Sequence, residues 1–337
     1  MPTIRKICIL VSICFFSLAP AGAQTESGRY GFYLSPLFGI LYGQGEEILY
    51  RDSGWDQYAS QLLWDLKPLV YTGLAADFGP RDPFERRGFI AAGSIKYGLP
   101  LRTGSMEDRD WMNLETNWLT HYSQHQAYSQ NAILADLSAG YSWPLTNYLA
   151  LSAYGEFSFM YLSWSADNGY AQYTTEATKD EGDYPPWNNN LPKTYFNGKN
   201  ILYTQIWFIF SPGLCLKGRI NRLFSAQAHF NYSPLIYATA KDDHLIPNKD
   251  YQGRSFEDYL YFGHYLKGGG KFIFSPLENM DLSLSCSYRY ITRTRGPSYW
   301  EYTGSEVTSH LSKNYDGGAG HSALEIEFAV RIRVKTN

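Results

Sequence analysis

Two short acidic segments carry the residues of this chain most able to do chemistry: Asp108-Arg109-Asp110-Trp111-Met112 and Asp242-Asp243-His244. In extended backbone, side chains two apart point to one face. Asp108 with Asp110, and Asp242 with His244, would then each aim two proton-handling groups into a single space. A histidine held by a carboxylate is fixed in tautomer and stabilised when protonated, as a general base requires. Two neighbouring carboxylates resist ionising together, so they share a proton and can hold and polarise a water. If the two pairs meet, the chemistry is hydrolysis by activated water, with no covalent intermediate. Oxygen-rich ligation with one imidazole would also suit a divalent cation, but the reading adopted here has no metal.

The elements that must bring the pairs together are strands. Arg5 and Lys6, the apolar run Ile7–Leu18 and the small residues Ala21-Gly22-Ala23 form a signal peptide over residues 1–23, leaving 24–337 as a single exported domain. Aromatic residues make up 17% of the chain and charged residues 18%, and after the signal peptide no apolar run is long enough for a transmembrane helix. An exported, aromatic-rich chain without apolar helices fits an outer-membrane barrel. A net charge of −3 gives no support to a nucleic-acid partner. Cys215 and Cys286 are expected on opposite faces of the wall, as two free thiols.

Period-two alternation marks the strands. Leu324, Ile326, Phe328, Val330, Ile332 and Val334 alternate with Glu325, Glu327, Ala329, Arg331, Arg333 and Lys335. In a membrane barrel the apolar face meets lipid and the charged face lines the lumen. Ten such segments are predicted, near 29–42, 60–77, 87–103, 127–142, 148–165, 198–216, 223–241, 256–275, 280–296 and 320–335. Short turns alternate with long connections near 43–59, 104–126, 166–197, 242–255 and 297–319. The expectation is an all-β fold: a ten-stranded antiparallel transmembrane β-barrel with long extracellular loops. Asp108 and Asp110 would lie in the second long loop and Asp242 and His244 in the fourth, on facing walls of one rim. Ten tilted strands give a backbone diameter of roughly 20 Å, so the rim must flatten or the loops lean inward for the pairs to meet.

The segment Met106–Met112 resembles the Asp-x-Asp-Trp-Met segment of the omptins, outer-membrane endopeptidases, and Asp242-Asp243-His244 resembles their Asp-x-His dyad. Gly39-x-x-x-Gly43-x-x-x-Glu47-x-x-Tyr50 and Ser60-Gln61-Leu62-Leu63-Trp64 are similar to their first strand, first loop and second strand. The resemblance implies an aspartic-type endopeptidase with Asp108, Asp110, Asp242 and His244 as the catalytic set. It implies that Glu47 binds a basic residue just before the scissile bond. The chain departs from the pattern at Ala240, where omptins carry a second pocket acid, and at His121, where they commonly carry an acid. Met160 stands in the place of the family's lipopolysaccharide-binding arginine, which leaves dependence on that lipid open; no other cofactor is expected. Arg109 and Lys241 add positive charge beside the site.

The reading is an outer-membrane protease, active site facing the exterior, hydrolysing extracellular polypeptides after a basic residue as a monomer surrounded by outer-membrane lipid. The altered pocket residues keep a rival alive: a catalytically silent barrel used as adhesin or receptor. A porin is a third reading, weakened by the lumen charges Glu325, Glu327, Arg331 and Arg333.

Overall fold

A computed structural model describes residues 30–51, 58–113, 116–175, 183–245, 253–303 and 310–334, with backbone alone at 303 and 310–315. The segment read as a signal peptide lies outside the described residues. The strands are β1 (Tyr30–Tyr50), β2 (Tyr58–Pro80), β3 (Gly88–Gly98), β4 (Arg102–Asp110), β5 (His121–Pro144), β6 (Leu149–Tyr173), β7 (Thr194–Arg219), β8 (Phe224–Ser233), β9 (Ile236–His244), β10 (Gly253–Tyr261), β11 (Tyr265–Leu277), β12 (Met280–Thr303) and β13 (His310–Val334). β3 and β4 are two halves of one stave, as are β8 and β9, and β10 and β11. Each break leaves both halves paired to the same two neighbouring staves. The ring therefore has ten antiparallel staves, and it closes through the pairing of β1 with β13. The expected fold class is what the chain adopts.

The alternation read in the last segment sorts as expected. Leu324, Ile326, Phe328 and Ile332 are exposed on the outer face, while Glu325, Glu327 and Ala329 are buried inside. Cys215 is buried, Cys286 is exposed, and both are free thiols. The lumen at membrane level is filled by ion pairs. Lys96 Nζ lies 2.6 Å from both Glu325 and Glu327, and the Tyr71 hydroxyl donates to the same two carboxylates. Lys267 bridges Asp136 and Glu156, and Arg331 joins Asp77 and Asp281. Each of these ions is matched, which a buried charge needs.

Above this layer the filling turns aromatic. Trp64, Trp164 and Tyr203 are fully buried, with ring centroids 5.3 to 6.1 Å apart. Leu41, Leu62, Leu66, Met106, Met160 and Trp207 pack into the same cluster. Sequence reading placed charges in the lumen but not this plug. Met160 belongs to it: the side chain is 1% exposed and meets the Arg289 guanidinium. The side chain at that position therefore points into the lumen and away from lipid.

The connections also divide differently from the sequence reading. At one end the turns are tight, as at Leu145–Tyr148 and Glu278–Asn279. At the other end the strands run well into the segments expected as long loops. β1 runs on to Tyr50, β4 reaches Asp110, β9 reaches His244, and β12 continues to Thr303. Once a stave leaves the bilayer its outer face meets water, so the apolar half of the alternation is no longer required, while the backbone ladder still gains from pairing. The hydropathy pattern therefore stops before the strand does.

Candidate active site

The four groups singled out from the sequence sit on strands rather than in loops. Asp108 and Asp110 are on β4, which pairs with β2 and β5; Asp242 and His244 are on β9, which pairs with β7 and β10. In both segments the alternation turns the named residues inward and their neighbours outward; Asp108 and Asp242 are buried, while Asp110 and His244 stay partly open to solvent. Arg109 faces away and pairs with Glu107 at 2.6 Å. Lys241 faces away and pairs with Asp243 at 3.0 Å. Asp243 also accepts from the Ser255 hydroxyl at 2.6 Å, a structural contact on the outer wall. The two cations expected beside the site therefore point off it.

The Asp/His dyad is formed. His244 Nε2 lies 2.6 Å from Asp242 Oδ2. A carboxylate can only accept here, so Nε2 donates and Nδ1 is left as the ring's acceptor. Burial pushes the His244 pKa down, but the Asp242 charge and hydrogen bond, helped by Asp108 and Asp110, outweigh it and raise it to about 9. Phe256, paired with Asp242 across the β9–β10 ladder, sets its ring edge against the imidazole.

The carboxylate pair is formed as well. Burial, then the Asp110 charge, raise the Asp108 pKa well above its ordinary value. Asp110 is raised by burial to about 6, with hydrogen bonds from Ser60 and Asp108 opposing the shift. Both shifts run in the direction that favours a proton shared between the two carboxylates. Ser60 donates to Asp108 Oδ1 at 3.4 Å, from the strand position paired with Asp110. The two pairs interact across the lumen: His244 feels both Asp108 and Asp110, and Asp108 feels both His244 and Asp242.

Glu47 lies at the base of the same space, 9% exposed. Burial raises its pKa well above the ordinary range, reinforced by the charges of Asp242, Asp258 and Asp108. Glu46, next in sequence, is turned to the other face, where Arg293 and Gln61 hold it. His121 stands across the ladder from Asp110, against Tyr173 and Tyr184, and burial lowers its pKa. His125 donates from Nδ1 to the Asn168 carbonyl and accepts from Ser123, so it is occupied as a structural group. His310 has no described side chain.

Sequence reading missed Asp258. It is 5% exposed and stands directly across the β9–β10 ladder from Ala240. Burial raises its pKa to about 7, against a hydrogen bond from Ser298 and with the Asp242 charge. The signal that would have found it is the ladder register between β9 and β10, which the polar connection 245–252 conceals. Among the described residues no cluster of three or more His, Cys, Asp or Glu has the geometry to hold a metal ion.

Comparison with known proteins gives concordant results. The model of the Omptin family matches residues 30–331. A plasminogen activator of Yersinia pestis is 28% identical over 243 residues, covering 71% of this chain and 70% of the relative. The crystal structure of the outer membrane protease OmpT from Escherichia coli superposes with a TM-score of 0.75 at 18% identity, covering 90% of this chain and 97% of that one. The latter likeness shows the fold. Since the family match runs the length of the barrel, the protein belongs to the omptin family of outer-membrane endopeptidases.

Proposed function

We propose that this protein cleaves extracellular polypeptides after a basic residue, by water activated between Asp108/Asp110 and Asp242/His244. The observation that carries the reading is the convergence of four acid/base groups from two walls of the rim, with His244 coupled to all three carboxylates. In the reaction the water sits between the Asp pair and His244. Its proton passes to Nδ1 of His244 as its oxygen bonds to the peptide carbonyl carbon. Asp242 keeps the ring oriented and stabilises the imidazolium. The C–N bond then breaks and His244 returns the proton to the leaving amine. Glu47 receives the basic side chain preceding that bond.

The site lies at the end opposite the tight turns, which fits an active site facing the cell exterior. The apolar belt would be solvated by outer-membrane lipid, with the barrel acting as a monomer and with no nucleic-acid partner. The aromatic plug argues against the porin reading, since it fills the lumen beneath the site. Refolding the protein in detergent, with and without lipopolysaccharide, and challenging it with a peptide library tests the proposal. Cleavage after Arg or Lys that disappears in both Asp108→Ala and His244→Ala is the expected result. Cleavage unchanged in both variants would sink the site assignment, and no cleavage in either lipid condition would favour the adhesin reading.

A further inference from the structure

The acids at the base of the site exceed what the water-activating step requires. Glu47 and Asp258 take no part in that step, yet both are more than nine-tenths buried and each feels the charge of Asp242. Glu47 Oε2 and Asp242 Oδ1 are buried without a hydrogen-bond partner. No ion pair joins Glu47 or Asp258 to a described Lys or Arg. Buried carboxylates with open lone pairs cost free energy unless a donor or cation arrives to meet them. The orphaned oxygens therefore mark a place for a cationic ligand.

The backbone makes room for one. Ala238 and Ala240 on β9 and Gly317 and Ala319 on β13 present small side chains to this part of the lumen. The Asp258 carboxyl lies over Gly317, where any Cβ would overlap all three of its terminal atoms. Ser298, its ladder partner on β12, donates to it. Asp258 thus leans across β12 toward β13, with Ser298 bonding it and Gly317 leaving it room. It stands one strand over from Ala240, at the same height.

We propose that Asp258 is a specificity-determining residue, forming with Glu47 the pocket for the cationic side chain that precedes the scissile bond and supplying the acid that Ala240 cannot. The inference rests on the peptidase reading above and adds to it a residue and a direction. An acid displaced by one strand still faces Glu47 across the small residues of β13, so a long basic side chain entering beside Asp242 reaches both. Preference for a single basic residue is retained despite Ala240.

The test uses the refolded full chain with lipopolysaccharide and paired peptides that differ only in arginine or its neutral isostere citrulline before the scissile bond. The wild type is expected to favour arginine. Asp258→Asn should lower kcat/KM for the arginine peptide on the order of tenfold to a hundredfold, mainly through KM, and leave the citrulline peptide unchanged. Ala240→Asp placed on Asp258→Asn should restore the arginine preference. An unchanged arginine/citrulline ratio in Asp258→Asn overturns the inference, and so does an equal loss on both peptides, which would make Asp258 merely structural. Electrophoretic mobility without boiling checks that each variant is folded. Failure of the parent reading looks different: the wild type cleaves neither peptide, or cleavage survives Asp108→Ala. A wild type that cleaves both peptides equally would leave the water-activating set standing and overturn the pocket.

Discussion

Trp64 on β2 lies flat against Tyr203 on β7, ring centroids 5.3 Å apart and planes inclined by 16°. Going around the ring, β4, β5 and β6 stand between those two strands, so the stack crosses the lumen. Gln205 reinforces the crossing by donating to the Glu46 carbonyl at 2.9 Å. Tyr203 is paired in the ladder with Asp242, and Trp64 with Met106, two residues before Asp108. The two walls that carry the candidate catalytic groups are therefore pulled together one layer beneath them. A ring of ten strands would otherwise hold them too far apart to share a water. Removing the indole should loosen this tie. Trp64→Ala is expected to cost about 3 kcal/mol or more in unfolding free energy, and to lower kcat on the order of a hundredfold by misplacing the pairs. Denaturant midpoints and steady-state kinetics on the same preparation would read both effects.

The dyad makes a signed prediction about pH. His244 must be neutral to accept the water's proton, and its pKa stands at about 9. The wild-type kcat/KM should therefore climb with pH up to about 9, with a further loss below about 6 as Asp110 takes up a proton. Asp242→Asn removes the charge that opposes the downward pull of burial on the imidazole. The ascending limb should move to lower pH while the plateau falls on the order of 100- to 10,000-fold. A limb that stays in place would mean that another group governs it.

How much of this was legible beforehand follows from where hydropathy carries information. Within the bilayer the alternation of Leu324 through Val334 fixes which side chains meet lipid, so the staves, their number and the face of each residue could be read directly. Beyond the bilayer both faces are wet or filled, and the pattern fades although the strands continue through Asp110 and His244. The spacing within each pair still put its two members on one face, because i and i+2 share a face in either setting. Asp258 and the Trp64–Tyr203 tie could not be found that way. Both are relations between strands, set by ladder register and by packing across the lumen, and no local spacing encodes them.

Arg109 and Lys241 looked from the sequence like modifiers of the site. Their ladder parity turns both outward, to Glu107 and to Asp243. Exposed pairs of this kind contribute about 0 to 1 kcal/mol. Arg109→Ala and Lys241→Ala should leave kcat/KM within about twofold of wild type and barely shift the denaturant midpoint, within that same range. A large change in cleavage of neutral peptides by either variant would contradict the outward placement.

Chelation should likewise leave the rate unchanged. The upward shifts of His244 and Asp108 both favour protonated forms, which reduces the negative charge that would attract a divalent cation. Loss of cleavage in chelator, with recovery on adding back a divalent metal, would replace the proposed water activation with metal chemistry.

Gly317 offers a test of the pocket from the opposite wall. Nothing in its backbone demands glycine, since its φ lies outside the left-handed region; what demands it is the Asp258 carboxyl lying where a Cβ would be. Gly317→Ala keeps every titratable group yet must rotate that carboxyl out of its seat. If Asp258 acts through its position beside Glu47, this variant should lose arginine preference as Asp258→Asn does, with the citrulline peptide again unaffected. A charge acting only through its long-range field would scarcely notice so small a rotation. Peptide-pair kinetics on Gly317→Ala therefore separate a seated ligand for the substrate cation from a diffuse acidic background.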